Sequence, residues 1–355
     1  MRRRDLLLLS GAVAGGTMVG GGYLLRERGE AWGGEIPCPP PFVDDPPAAV
    51  YLPTHEDGMA MIGHETAGDY GVAVSYTYPH PFWILDGEDD EFVDIEADDP
   101  GVHLMATVWD AETETVLPVD TGPTIEILDD DGEPADAARG LWPMLSQQMG
   151  YHFGDNVTIE DGDYVVRVEL PAMGIRRAGT YQDRFEGGET VEFEFEYRRD
   201  ERDELPCIDV DDPGERGAVE PMEMGHMPVS EVPSADALPG VGLGEEESGD
   251  ARLVATIVDD ADRFDSETYL AVSLRTPYNR YPLPMASLAA VIGDETVILT
   301  PALDDELGFH YGAGIDPVES GDELFVSIET PPQVSRHVGY ETAFREFSDV
   351  TYEVP

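Results

Sequence analysis

Short runs in which apolar and polar residues alternate recur along the chain, with turn-forming clusters between them. TVEFEFEY at 190–197 is the cleanest. Val191, Phe193 and Phe195 fall on one side of an extended strand and three glutamates on the other, because successive side chains of a strand point to opposite faces. VAVSYTY (72–78), VHLMATVWD (102–110), PTIEIL (123–128) and YVVRVEL (164–170) are similar in length and rich in β-branched or aromatic residues. DGEDD, DDDGEP, EDGD and FEGGE punctuate them as turns. The pattern predicts an all-β chain of sandwich type. The 29 Pro and 38 Gly weigh against long helices.

The second half repeats the plan: LVATIVD (253–259), TYLAVSL (268–274), SLAAVIG (287–293), ELFVSIE (323–329) and SDVTYEV (348–354) follow in the same order. WPMLSQQMGYHFG aligns with TPALDDELGFHYG without a gap from Pro143/Pro301 to Gly154/Gly312. VELP (168–171) then meets IETP (328–331), and RRAG (176–179) meets RHVG (336–339). Each half is preceded by a Met-rich phrase, MAMIGH (59–64) and MEMGHM (222–227). So many correspondences in one order predict a tandem duplication of immunoglobulin-like β-sandwich units. The expected domains are 34–208 and 209–355, after a leader at 1–33.

Charge changes the picture of the solvent more than that of the fold. Seventy-five acids face 20 bases, all of them Arg, for a formal net charge of −55. Such self-repulsion opposes compaction in ordinary buffer. At molar salt the screening length falls to roughly 3 Å. Because the acids are spread through every segment, the balance points to a halophilic, high-salt setting rather than to a basic partner. It excludes nucleic acid as a ligand, since phosphate binding needs a basic surface.

The N-terminus begins Arg3-Arg4-Asp5-Leu6-Leu7, and an uncharged stretch runs to Leu25. This reads as a twin-arginine-type export signal or a membrane anchor, with cell-surface or extracytoplasmic localisation and membrane contact only through this segment. Cys38 and Cys207 bracket the first unit and are the candidate disulfide.

Candidate chemistry centres on histidine and methionine. In MGYHFG and LGFHYG the histidine points away from the face that its aromatic neighbours use. A hydrogen-bonded turn histidine is the alternative. The first unit adds His103 and Met144 to His152; imidazole with thioether suits copper, Cu(I) above all, and ferrous iron less well. Met59, Met61 and His64, with Met222, Met224, His226 and Met227, form a possible Cu(I) collector or else apolar plugs. His55 and His80 read as surface or turn residues. No G-x-S-x-G, P-loop or H-E-x-x-H occurs, so no enzyme is expected.

H-L at a strand start, P-M, G-x-H-[FY]-G and a PP…R-H turn together resemble the periplasmic iron-transport accessory family, copper-binding immunoglobulin-like proteins encoded beside iron permeases. The resemblance covers roughly residues 101–197 and, more weakly, 268–354, in a haloarchaeal-type duplicated form. It implies a metal site of His103, Met144 and His152 in the first unit, with Met105 in place of a carboxylate and Arg177 in place of the last histidine. In the second unit it implies His310 and His337, with Tyr269 and Ala302 replacing the first His and the Met. The half-sites either pair across an interface or have both decayed. The resemblance further implies a copper or iron ion, a membrane metal permease as partner and a possible homodimer. The rival reading is a structural β-sandwich module of the cell envelope with a degenerate site.

Overall fold

The computed structural model describes residues 41–86, 91–95, 101–118, 122–222 and 225–355. Within them the chain is all-β, with one five-residue α-helix, Arg199–Asp203, and three single-turn 3-10 segments.

The first unit has two layers. One sheet orders Ala60–Ala67, Tyr70–Thr77, Val102–Asp110, Gly150–Val157 and Trp142–Ser146 side by side. The facing sheet orders Glu189–Tyr197, Gly162–Leu170, Thr124–Leu128 and Pro134–Gly140. Val191, Phe193, Phe195 and Tyr197 are buried and the glutamates between them exposed, so the alternation in the sequence marks the face that closes the sandwich.

The second unit follows the same order, except that one strand, Glu295–Asp304, replaces both Pro134–Gly140 and Trp142–Ser146 and pairs with both layers. Val241–Ser248, Ala251–Asp259, Thr268–Arg275, Gly308–Ile315 and Glu295–Asp304 lie side by side, and the ladder continues from Glu295–Asp304 through Ser287–Ile292 and Glu323–Thr330 to Val350–Glu353. Register is repeated too. Phe153, next to His152, pairs with Ala106, and Tyr311, next to His310, pairs with Val272; Ala106 and Val272 each lie three residues past His103 and Tyr269. A one-residue slip would have turned every side chain to the other face. The apolar core runs continuously through both units.

The units also exchange short strands. Ser335–Arg336 of the second unit adds in parallel to the edge of Trp142–Ser146 and joins Phe82–Asp86 and Glu91–Ile95 to that sheet. Reciprocally, Arg176–Arg177 of the first unit adds in parallel to Glu295–Asp304. Each sheet edge is thereby capped by a strap from the other unit, which removes an open row of backbone donors and acceptors. Gln147 braces the junction: its side-chain amide donates to the Tyr51 carbonyl (2.8 Å) and the Gly339 carbonyl (3.2 Å).

Candidate metal centre

His152 and Met144 are direct partners across an antiparallel ladder, so their side chains share a face. His152, Gly154 and Asn156 line that face of their strand, while Tyr151 and Phe153 point into the core. Opposite Asn156 stands His103 on the next strand. A Cβ placed on Gly154 would lie 3.0 Å from both His103 Nε2 and Met144 Sδ, so the glycine leaves the gap into which those two donor atoms converge.

The fourth donor comes from the other unit. The His337 N–H donates to the Leu145 carbonyl at 3.1 Å, which seats the strap, and His337 Nε2 lies 3.3 Å from Met144 Sδ. The His152 and His337 ring centroids are 5.1 Å apart. A fifth donor, His80, follows the strand that ends at Thr77, the residue paired with His103. Its ring centroid is 4.2 Å from that of His103 and 4.9 Å from that of His337. One ligand atom from each of His80, His103 and His337 falls within 4.8 Å of the others.

Hydrogen bonds decide which nitrogens remain available. Asn156 donates its amide to the His80 carbonyl at 2.9 Å, so its Oδ1 accepts from His103 Nδ1 at 3.0 Å. His152 Nδ1 donates to the Gly150 carbonyl at 3.1 Å. In both rings the proton sits on Nδ1 and Nε2 carries a lone pair. Both Nε2 atoms are buried without a hydrogen-bond partner, an arrangement that costs energy unless something fills the coordination position. Burial, reinforced by neighbouring imidazoles, pushes His103 and His337 well below the ordinary histidine range. Burial also takes His152 down to about 4, despite the opposing Gly150 hydrogen bond. At neutral pH these rings are uncharged, the protonation state that a metal ligand requires. Neutral imidazoles and one thioether in a buried pocket form a soft-to-borderline donor set.

The equivalent place in the second unit is closed. Tyr269 stands for His103, Ala302 for Met144, and His310 for His152. The strap corrects the alignment of its own ends: Arg177 pairs with Leu303 as Arg336 pairs with Leu145, and the Ala178 N–H donates to the Leu303 carbonyl (2.9 Å) as that of His337 does to Leu145. Ala178, not Arg177, therefore occupies the last histidine's place; matching the glycines of RRAG and RHVG had shifted the alignment by one residue. Val258, Ala261, Phe264, Tyr269, Ala271 and Leu307 pack with Ala178 into a small apolar cluster. Phe264 stacks on Tyr269 at 3.9 Å. His310 keeps the backbone bond of its counterpart, Nδ1 to the Gly308 carbonyl (3.0 Å), but its Nε2 is tied to the Tyr269 hydroxyl at 3.2 Å.

Among the described residues the convergent imidazoles are those of His80, His103 and His337, with Met144 Sδ beside His337; His152 stands next to them as the ladder partner of Met144, and His310 lies in a separate cluster. His55 and His80, read from sequence as surface or turn residues, are both buried. Proximity in sequence to the strand paired with His103 was the signal that could have flagged His80. The Met phrases do not join the cluster as a group. Met59 is buried beside it and Met227 is buried in the core, as apolar plugs would be. Met222 is half-buried, with its N–H donating to the Gln148 carbonyl at 2.8 Å. His64 stacks on His226 at 4.8 Å. Met224, Cys38 and the 1–33 leader lie outside the described residues. Cys207 is disulfide-bonded. Among the described residues no helix is long and apolar enough to cross a membrane.

Residues 236–353 match a family described as a domain of unknown function (DUF7350). A search of curated proteins finds no match. Two solved structures show local similarity. A copper-bound variant of FetP from uropathogenic Escherichia coli aligns at 21% identity and TM-score 0.29, over 39% of this chain and 97% of its own. The copper-reconstituted P19 protein from Campylobacter jejuni aligns at 17% identity and TM-score 0.29, over 39% of this chain and 96% of its own.

Proposed function

We propose that the chain is an exported, non-enzymatic copper-binding protein that holds one ion per chain between its two units and supports metal uptake in a high-salt environment. The observation that carries this reading is the pair of buried Nε2 lone pairs of His103 and His152, which share a pocket with Met144 Sδ and His337 Nε2. A thioether among neutral imidazoles favours copper, Cu(I) in particular, over iron. When bound, the ion would satisfy two nitrogens that no described protein group satisfies and would tie the second unit's strap to the first unit's sheet. The units act as a built-in pair, one presenting His80, His103, Met144 and His152 and the other lending His337. Export rests on the twin-arginine-like N-terminus, and adaptation to salt on the net charge of −55. A membrane metal permease is the partner that this role calls for.

The test is an anaerobic Cu(I) titration in molar KCl against a chromogenic chelator. One tight equivalent is expected, lost in His152→Ala and in Met144→Leu. Tight binding that survives both substitutions would refute the assignment.

A further inference from the structure

A cavity of about 50 Å³ adjoins the centre, with His80, His152 and His337 on its inner side. Its lining also includes the exposed Phe42 and the half-buried Gln148 and Val338, so it reaches the surface. Three more of its lining residues are buried methionines, Met59, Met105 and Met149, in a chain with only 12 Met among 355 residues. We propose that these three form a thioether-lined passage by which Cu(I) enters and leaves the centre. The passage selects a soft monovalent ion in transit and adds no second resting position. The proposal rests on the copper reading.

Placement is the first argument. Met105 lies two residues past His103 on one strand and is the ladder partner of Gly154, so it shares the face of His103, Gly154 and His152. Met149 ends the turn that joins the Met144 and His152 strands, and its N–H donates to Ser146 Oγ at 3.0 Å. Met59 follows Gly58, whose carbonyl accepts from the Thr77 hydroxyl at 2.7 Å, and Thr77 is the ladder partner of His103. All three methionines are thus fixed to the framework that carries the imidazoles.

The closed second centre is the second argument. The register that sets Tyr269 against His103 and His310 against His152 sets Ala271 against Met105 and Leu307 against Met149. Ala271 and Leu307 both belong to the apolar cluster that fills the twin. The turn itself is kept, with Gly150 at φ +69° and Gly308 at φ +67°. Packing at these places is therefore met without sulfur in the copy that lacks the gathered donors. The sulfur accompanies the imidazoles.

Chemistry is the third. A thioether is uncharged, suits Cu(I) and is a poor ligand for harder divalent ions. Its flexible stem lets the sulfur follow an ion over a distance. A series of such donors lets the ion exchange one ligand for the next, so it never stands bare in a buried channel, where an uncompensated charge is costly. The cavity has room for an ion and a few waters but not for an organic carrier. A carrier must therefore give up its ion at the mouth.

The test sets rate against equilibrium in the full chain. In anaerobic molar KCl, protein is mixed by stopped flow with Cu(I) held by a chromogenic chelator, and the loss of colour is followed. Leucine keeps the volume and apolar character of methionine and removes the sulfur. Met59→Leu/Met105→Leu/Met149→Leu should therefore still bind one Cu(I) with affinity near that of wild type, while transfer slows by roughly tenfold or more. Met105→Leu and Met149→Leu alone should each show part of the slowing, which keeps the test open if the triple variant misfolds by far-UV circular dichroism. Met227→Leu, in the core and off the cavity lining, should load at the wild-type rate. Unchanged transfer in the folded variants would overturn the proposal and leave the three methionines as apolar packing. Affinity that falls along with the rate would also overturn it, by making them ligands of the resting ion. A wild-type chain that binds no Cu(I) would remove the copper reading and the passage together.

Discussion

His337 Nε2 stands 3.3 Å from Met144 Sδ although 193 positions separate the two residues in sequence. One belongs to each sandwich unit, so neither half alone contains the whole candidate donor set. Removing His337 should therefore damage a site most of whose donors lie in the other unit. We expect His337→Ala to weaken Cu(I) binding by more than about 100-fold, beyond the 10–100-fold typical of residues that only support ligands. His310→Ala, in the twin motif, should leave copper affinity unchanged and lower unfolding free energy by about 1–3 kcal/mol, because it strands the buried Tyr269 hydroxyl. Chelator competition and chemical denaturation of the two variants check this contrast.

Asn156 holds two of the imidazole-bearing segments at once, through the His103 ring and the His80 carbonyl. Asn156→Ala frees the His103 ring to rotate and to move its proton to Nε2. Copper affinity should fall by roughly 10–100-fold with the one-ion stoichiometry intact. A titration showing unaltered affinity would remove Asn156 from the account.

Gly154 is a test of space rather than of donors. A methyl there would meet His103 Nε2 and Met144 Sδ, each at 3.0 Å, and the Leu104 carbonyl oxygen at 3.2 Å, all tighter than ordinary contact. The Met144 side chain is flexible and would swing away. The Leu104 carbonyl has less freedom, so Gly154→Ala should remain folded with a lowered thermal midpoint, yet lose most of its copper affinity. Loss of folding along with binding would mean that the glycine serves the strand alone.

How much of this was legible beforehand follows from which physics is local. Alternation in TVEFEFEY and the repeated GYHFG and GFHYG phrases are properties of neighbours along the chain, and they located strands and faces. Met144 and His152 were within reach of the same reasoning, since a hairpin joins them. The partnership of His337 with Met144 was not, because it depends on a strap crossing between units. Nor was the burial of His80, whose flanking prolines suggest an exposed turn until the strand beside it is known to pair with His103. The offset of Ala178 was hidden for a related reason. Register on a parallel strap is set by the edge to which it adds, and a matched glycine does not fix it.

Acid should unfold the metal-free protein earlier than its carboxylates alone would dictate. His152 and His310 each have a folded-state value of about 4, against 6.5 for a free histidine, because burial disfavours the charged ring. Between pH 6.5 and about 4 the unfolded chain binds protons that the folded chain refuses, so stability falls as pH falls through that window. Each such histidine contributes on the order of a few kcal/mol across it. Denaturant midpoints measured at constant high salt should therefore decline steadily from pH 7 to pH 4. Burial depresses His103 and His337 in the same direction, so in His310→Leu, which removes one of these four groups, the slope should be shallower.

The closed second centre makes a last prediction. The backbone that orients His152 is duplicated around His310, down to the Nδ1 bond to the carbonyl two residues back. What differs is side chains: Tyr269 caps the free nitrogen, Ala302 offers no sulfur, and Ala178 offers no imidazole. Replacing them as Tyr269→His, Ala302→Met and Ala178→His should open a second copper position and raise stoichiometry from one to two. A histidine at 269 is smaller than the tyrosine and can keep the stack on Phe264, so the space given up there helps to accommodate the larger residues at 302 and 178. Some overpacking, about 1–3 kcal/mol, is expected in the metal-free form, and bound copper should recover it in proportion to its affinity. A triple variant that folds yet still binds a single ion would show that donors on this scaffold are not sufficient, and that the Asn156 and His80 supports of the first centre are part of what makes it a site.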